Sequence, residues 1–485
     1  MHPIRMPLAL VLALASAAAP AAPVLVNALA IAGDATDLSG LPAGPNGNRL
    51  GGFASDLHYD RYSNTYYGIP DRGPGGGLLA YDTRVQRFTL NVDSATGAIS
   101  NFQLQSTTML TAGGQPLNGL NPALLNASSA TLGLSQDPEG FAVGPHGTYF
   151  VSDEYGPAVR EFSAGGELIR SFTTPANLIP RDSGGGVNYV DGRPVLVSGR
   201  QDNRGFEGLT LSPDGTKLYA MLQDPLVDEG SSSDGRRSRN LRLVEFDVAT
   251  GLATKQMIYR LEDRDDINAR IPGTADDFSA TNQGRSIGIS SITALNDHEF
   301  LVIERDNRGI GEADPTGTAP VGSKRVYRID ISGASDVSST SLAGDNALPP
   351  GVVPVTKSLF LDVQAALLAA GLPIPEKLEG LTIGPLLDNG FIDLILGTDN
   401  DFSVTQSGSG EQFNVCTGPG GTFRDVALDQ ACPGATALLP TYLYAVRVEL
   451  AGLNYVAPLT VAEPFGLTLF GLGLAGLAAR RRCRA

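Results

Sequence analysis

Tryptophan is absent from this chain of 485 residues, histidine occurs four times and cysteine three times. The histidines, His2, His58, His146 and His298, are scattered, with no HExxH and no cluster that would hold zinc. No Arg-His dipeptide exists to support a histidine acid phosphatase. Positive charge is also scarce: 35 Lys and Arg stand against 51 Asp and Glu, for a net charge of −16. Five of the arginines (Arg5, Arg480, Arg481, Arg482 and Arg484) lie in terminal segments, and −16 less those five leaves −21 for the rest. Such a body repels phosphate backbones, so no nucleic-acid partner is expected. It attracts cations, and an anionic substrate would need a bound cation to screen its approach.

Glycine, by contrast, is abundant at 59, with 32 prolines. Strand-like runs alternate with Gly, Asp, Asn and Pro clusters, so the glycine reads as turns. At 42% hydrophobic residues the chain has ample material for a core. Residues 1–22 carry Arg5, the apolar run Leu8 to Ala15 and the small-residue stretch Ser16 to Ala22, the pattern of a secretory signal. At the other end, Ala462-Glu463-Pro464 precedes an apolar stretch, Phe465 to Ala479, and the arginine cluster at 480–484. This tail, 462–485, resembles a PEP-CTERM sorting signal, although Ala-Glu-Pro stands where Pro-Glu-Pro is usual. The resemblance implies a transmembrane helix, exosortase-type sorting machinery as a partner, and a Gram-negative envelope, surface or matrix location; a plain tail anchor is the alternative. Cys416 and Cys432 flank a Gly-rich loop and, in an exported chain, are expected to form a disulfide or to remain as two free thiols.

Between the two signals lies one body, residues 24–457, with no charged linker to split it. Three phrases recur in it: Asp137-Pro-Glu-Gly-Phe141, Gly205-Phe-Glu-Gly-Leu209 and Lys377-Leu-Glu-Gly-Leu381. Each opens a unit that continues into a turn and a second β-rich run with a polar exit, as in Ser212-Pro-Asp-Gly215 and then Leu218 to Gln223. Two further units begin near Asp56 and Ser291. Positions 56, 139, 207, 291 and 379 are separated by 83, 68, 84 and 88 residues, longer than common propeller repeats, with the surplus in loops such as Pro225 to Arg239 and Asp263 to Gln283. Outer strands are predicted at Ala158 to Phe162, Leu241 to Asp247 and Lys324 to Asp330. Five units, plus the strand Tyr442 to Leu450 closing onto Val24 to Ile31, predict an all-β propeller of about six four-stranded blades. One helical insertion is expected at Lys357 to Ala370, stopped by Gly371.

These phrases, with Val151-Ser-Asp-Glu-Tyr-Gly156, Phe300-Leu-Val-Ile-Glu-Arg-Asp306 and Thr398-Asp-Asn-Asp-Phe402, resemble the phytase-like family, the "esterase-like activity of phytase" domain, over about residues 48 to 450. The resemblance implies a β-propeller. It also implies hydrolysis of an ester or phosphoester, on a small molecule or linked to polysaccharide, with Ca²⁺ by analogy to calcium-dependent propeller phytases.

In a propeller the loops gather at the channel mouths, so Glu139, Glu207 and Glu379 are expected to converge, joined by Asp56 and by strand-exit acids such as Asp71, Asp153, Glu304 and Asp399. Unpaired carboxylates in one cleft repel one another, and a hard cation relieves that repulsion. An all-oxygen set favours Ca²⁺, so Glu139, Glu207, Glu379, Asp56 and Asp399 are the candidate metal ligands, and Glu304, Asp153 and Arg204 the candidate catalytic residues. Two alternatives stand beside this. The glutamates can lock one blade to the next through backbone N–H groups, and Arg72, Arg204 and Arg305 can pair with the acids internally or hold substrate phosphate. A non-catalytic envelope or matrix binding propeller, or a lactonase-like Ca²⁺-dependent hydrolase, would carry a similar pattern. Gly284-Arg-Ser-Ile-Gly288 fits G-x-S-x-G, but Ile289 to Thr293 after it reads as strand, not as the helix a nucleophile elbow requires. Asp263-Arg-Asp-Asp266 lacks the glycine and terminal Glu of an EF-hand and reads as a solvated acidic loop.

Overall fold

The computed structural model describes residues 21–459. The sorting tail expected at 462–485 lies outside the described residues, as does the expected export signal except for Ala21 and Ala22. Among the described residues no helix is long and apolar enough to cross a membrane.

The chain is mostly strand, and five of its sheets are four-stranded and antiparallel, four of them with their strands in chain order. Their first strands are Asp56–Asp60, Pro138–Val143, Phe206–Leu211, Ile287–Ala294 and Leu378–Leu386, the five predicted units in order. The hairpins form where the turn residues demand. After Phe206–Leu211, Gly215 takes φ +71° and Asp214 accepts the Thr216 N–H at 3.0 Å, returning the chain into Lys217–Leu222.

The fifth sheet joins the two ends of the body. Its order runs Leu378–Leu386, Phe391–Thr398, Thr441–Glu449 and finally Val24–Ile31, with Leu29 opposite Leu443. The expectation of about six blades counts the terminal pair separately; the pairing puts both strands into the fifth unit's own sheet. A further small sheet, Val404–Gln406, Gln412–Gly418, Thr422–Ala427 and Ala437–Leu438, is an excursion within the fifth unit, and the Cys416–Cys432 disulfide lies inside it.

Five apolar cores lie between consecutive sheets. Phe141 and Ile69 share one between the first and second, Leu209 and Phe150 one between the second and third, Tyr219 and Phe300 one between the third and fourth, and Ile303 and Leu396 one between the fourth and fifth. The last core brings Ile395 and Leu443 of the fifth sheet against Phe53 and Tyr66 beside the first.

The predicted helix at 357–370 is half strand. Thr356–Asp362 completes the fourth sheet, and Asp362 then caps a helix at Val363–Ala369 by accepting the Ala365 N–H at 2.9 Å. Pairing with Lys324–Asp330 outweighs helical spacing in the first half of the segment. Asp263 likewise caps a short helix, Arg264–Asn268, so this acidic run is not a loop.

Candidate functional site: an acidic mouth

The Glu-Gly phrases do two jobs, and both arise from the backbone. Pairing of the first strand with the second shifts register between Pro138 and Phe141, between Phe206 and Gly208, and between Leu378 and Leu381. Each glutamate therefore sits in a β-bulge, which turns its side chain out of the regular alternation. The glycine after it lets the neighbouring first strand approach. A Cβ on Gly140 would lie 2.5 Å from the Leu209 nitrogen, and one on Gly380 would lie 2.8 Å from the Ala54 carbonyl oxygen. The fourth unit carries the same bulge, between Ile289 and Ser291, with Ser290 in place of the acid.

Glu139, Glu207 and Glu379 converge, as expected, on one cavity of about 560 Å³. Its wall also carries Asp71, Glu154, Asp224, Glu312, Glu376 and Asp401, and the cations Arg72, Arg204, Arg285, Arg305 and Lys377. The cations are not evenly shared. Arg305 lies 2.5 Å from Glu379, Arg72 lies 3.1 Å from Asp137, and Arg204 lies 2.9 Å from Asp224. Lys377 holds Asp399 at 3.0 Å and Asp401 at 2.6 Å.

Glu139, Glu154 and Glu207 are left as the under-compensated group. Each offers an oxygen within 4.8 Å of the others. The nearest cation, Arg204, is 3.9 Å from Glu154 and spends its closer contact on Asp224. Gln223 donates to one oxygen of Glu207 at 2.6 Å and so aims the carboxylate. The other Glu207 oxygen, Oε2, and Glu154 Oε1 are buried without a hydrogen-bond partner. Burial, then the charges of Glu207, Asp137, Glu154 and Glu379, pushes the Glu139 carboxyl well above the usual range. Glu207 is raised in the same way by burial, Glu154 and Glu379, with Arg305 and Arg204 opposing. Three buried carboxylates, two of them with an orphaned oxygen, fit a hard divalent cation such as Ca²⁺.

Of the other sequence candidates, Arg204 lines the cavity and Asp399 is held at the mouth by Lys377, whereas Asp56, Glu304 and Asp153 lie elsewhere. Asp56 is in a strand whose pairing runs unbroken from Ile69 to Thr65, so no bulge turns it into the mouth. It accepts the Phe141 N–H at 2.9 Å and the Ser291 hydroxyl at 2.8 Å, which ties three sheets together, and burial lifts its pKa to about 8. Glu304 accepts the Tyr259 hydroxyl at 2.6 Å and the Glu262 N–H at 2.7 Å and pairs with Lys357, away from the cavity wall. Asp153 accepts the Tyr155 N–H at 2.9 Å and pairs with Arg160 at 3.3 Å. The next residue, Glu154 just past the strand Tyr149–Asp153 or Arg305 within Glu299–Asp306, lines the cavity instead. Successive side chains of a strand point to opposite faces, so choosing the acid one position early selects the wrong face. Ser286 of the G-x-S-x-G match lines the cavity from a short helical turn, Gln283–Ser286, that leads into strand, so no nucleophile elbow forms.

Residues 48–402 match the phytase-like family, described as "Esterase-like activity of phytase", and the chain belongs to it. It is 29% identical, over 75% of its own length and 85% of the other's, to an "Uncharacterized secreted protein" of Arthroderma benhamiae. Among solved structures it is similar to a luciferin-regenerating enzyme (12% identity, TM-score 0.30, 85% of this chain and 96% of that one). A virginiamycin B lyase from Staphylococcus aureus gives 12% identity and a TM-score of 0.26 over 78% of this chain and 99% of that one.

Proposed function

We propose that this protein is an exported, five-bladed propeller hydrolase acting on a phosphoester or ester, with one Ca²⁺ at the acidic mouth held by Glu139, Glu154 and Glu207. The observation that carries this reading is the triad itself: three buried glutamates from two neighbouring sheets, with two orphaned oxygens, inside a cavity of about 560 Å³. The closed ring is supported by apolar cores between each consecutive pair of sheets, including the fifth and first. Export is supported by the secreted relative and the internal disulfide.

A Ca²⁺ bound there would supply Lewis acidity and lower the pKa of a water. The chain's own part is to orient and to neutralise. Gln223 fixes Glu207. Arg204 and Arg285, at 22% and 27% side-chain exposure, are open enough to meet an anionic substrate oxygen. Asp224, pushed up to about 6 by burial against the pull of Arg204 and Arg285, titrates near neutral pH and suits a proton-transfer role.

The test is hydrolysis of p-nitrophenyl phosphate, phytate and p-nitrophenyl acetate, with and without chelator, alongside bound-calcium analysis. Chelator-sensitive turnover of at least one substrate is expected. Tight calcium without any turnover would leave a binding propeller, a reading favoured by the internal pairing of Arg305 with Glu379 and of Arg72 with Asp137. Export to a membrane-bound or matrix location through the 462–485 tail, by exosortase-type machinery, belongs to the same proposal and is checked by fractionating cells expressing tail-truncated protein.

A further inference from the structure

A second carboxylate group lines the same mouth. Asp71, Asp399 and Asp401 also offer oxygens within 4.8 Å of one another. One oxygen of each of two of them is already used: Asp71 accepts the Gly73 N–H at 2.8 Å, and Asp399 accepts the Asp401 N–H at 2.8 Å. The Lys377 ammonium lies among the other oxygens, donating to Asp401 at 2.6 Å and to Asp399 at 3.0 Å, with Asp71 at 4.0 Å. Although burial disfavours its charge, Asp399, Asp401, Glu379 and Asp71 together hold this ammonium well above its usual range. An ammonium has three donors and no acceptor, which suits a site of three carboxylates. The glutamate triad has no equivalent: among the described residues no lysine or arginine lies closer to it than the 3.9 Å of Arg204 to Glu154.

We propose that Lys377 is a resident cation that fixes the ion count of the mouth, occupying the position a second divalent ion would otherwise take between Asp71, Asp399 and Asp401. The inference rests on the reading of the glutamate triad as a calcium site. One mouth then contains two cation positions of different kinds, one filled by the chain and one exchangeable. Removing the Lys377 charge leaves the buried Asp71 and Asp399 and the half-buried Asp401 uncompensated, a costly arrangement that a hard cation relieves. Lysine on its flexible stem is a compact point charge, which makes it a fitting substitute for an ion where an arginine fork would not be.

The test is calcium counting by elemental analysis after equilibrium dialysis of the purified protein, its Lys377→Met and Glu207→Gln variants and the double variant, with circular dichroism as the folding control. The expected counts are one ion in the wild type, two in Lys377→Met, none in Glu207→Gln and one in the double variant. One ion in a folded Lys377→Met would overturn the inference while leaving the triad site standing. No ion in the wild type but one in Lys377→Met would support the role of Lys377 and sink the triad. Should Lys377→Met not fold, Lys377→Gln is counted instead. An anomalous-scattering peak among Asp71, Asp399 and Asp401 in calcium-soaked wild-type crystals would also contradict the proposal.

Discussion

Glu207 is 2% exposed, faces Glu154 and Glu139, and has one oxygen without any partner. Like charges held out of water are destabilising unless an ion joins them. Glu207→Gln is therefore expected to stabilise the calcium-free protein by roughly 1–2 kcal/mol, the scale of single-site effects. The same variant should lose the rise in melting temperature that calcium gives the wild type, so thermal melts with and without calcium check both halves. At this scale the sequence is informative in an uneven way. Glu139, Glu207 and Glu379 are legible because a repeated Glu-Gly phrase marks a repeated backbone position. Glu154 is not, since a strand of unknown register does not say which of two adjacent acids, Asp153 or Glu154, faces the cavity. Nor is the choice of partner: Glu379 goes to Arg305, 74 residues away, and nothing local signals such a pairing.

The repeated element is a bulged first strand against its neighbour, and its glycine is as necessary as its acid. A Cβ at Gly140 would meet the Leu209 backbone nitrogen at 2.5 Å, whereas one at Gly208 would lie 3.0 Å from the nearest atom, the Ile292 nitrogen. Gly140→Ala should cost about 1–3 kcal/mol, as overpacking does, and Gly208→Ala less. Urea denaturation midpoints of the two variants test that order. The hairpins and most outer strands can be read from turn residues and alternation; Ala158–Phe162 and Lys324–Asp330 fall where that pattern puts them. The segment 357–370 cannot, because its first half is decided by an edge of the fourth sheet that exists only after folding. Bulges are equally hidden. They are register shifts between two strands, and Asp56 does not join the mouth because its own strand pair has none.

In the whole molecule, the last sheet is completed by the first strand of the body, with Val24–Ile31 paired along Thr441–Glu449. Deleting residues 24–31 should remove the cooperative unfolding transition and not merely lower its midpoint, since the core shared by the fifth and first sheets opens with it. A circular-dichroism melt of the truncated chain checks this. The terminal pairing is legible in the sequence, but not that both of its strands complete the fifth unit's own sheet. Stability should also depend on pH in a definite direction. Burial raises Asp56 to about 8, and burial together with neighbouring acids raises Glu376 and Asp399 to about 7, with Glu139 and Glu207 shifted the same way. A carboxyl with a raised folded pKa binds its proton more tightly folded than unfolded. Its penalty is absent below the unfolded value near 4 and is complete above the folded one. The calcium-free protein should thus lose stability as pH climbs from about 5 to about 8, and calcium should flatten that slope. The most direct measurement is an anomalous difference map from crystals grown with calcium or soaked in terbium. The account predicts one peak, coordinated by Glu139, Glu154 and Glu207. A map with no peak in the mouth, or with its peak away from these three side chains, would contradict it.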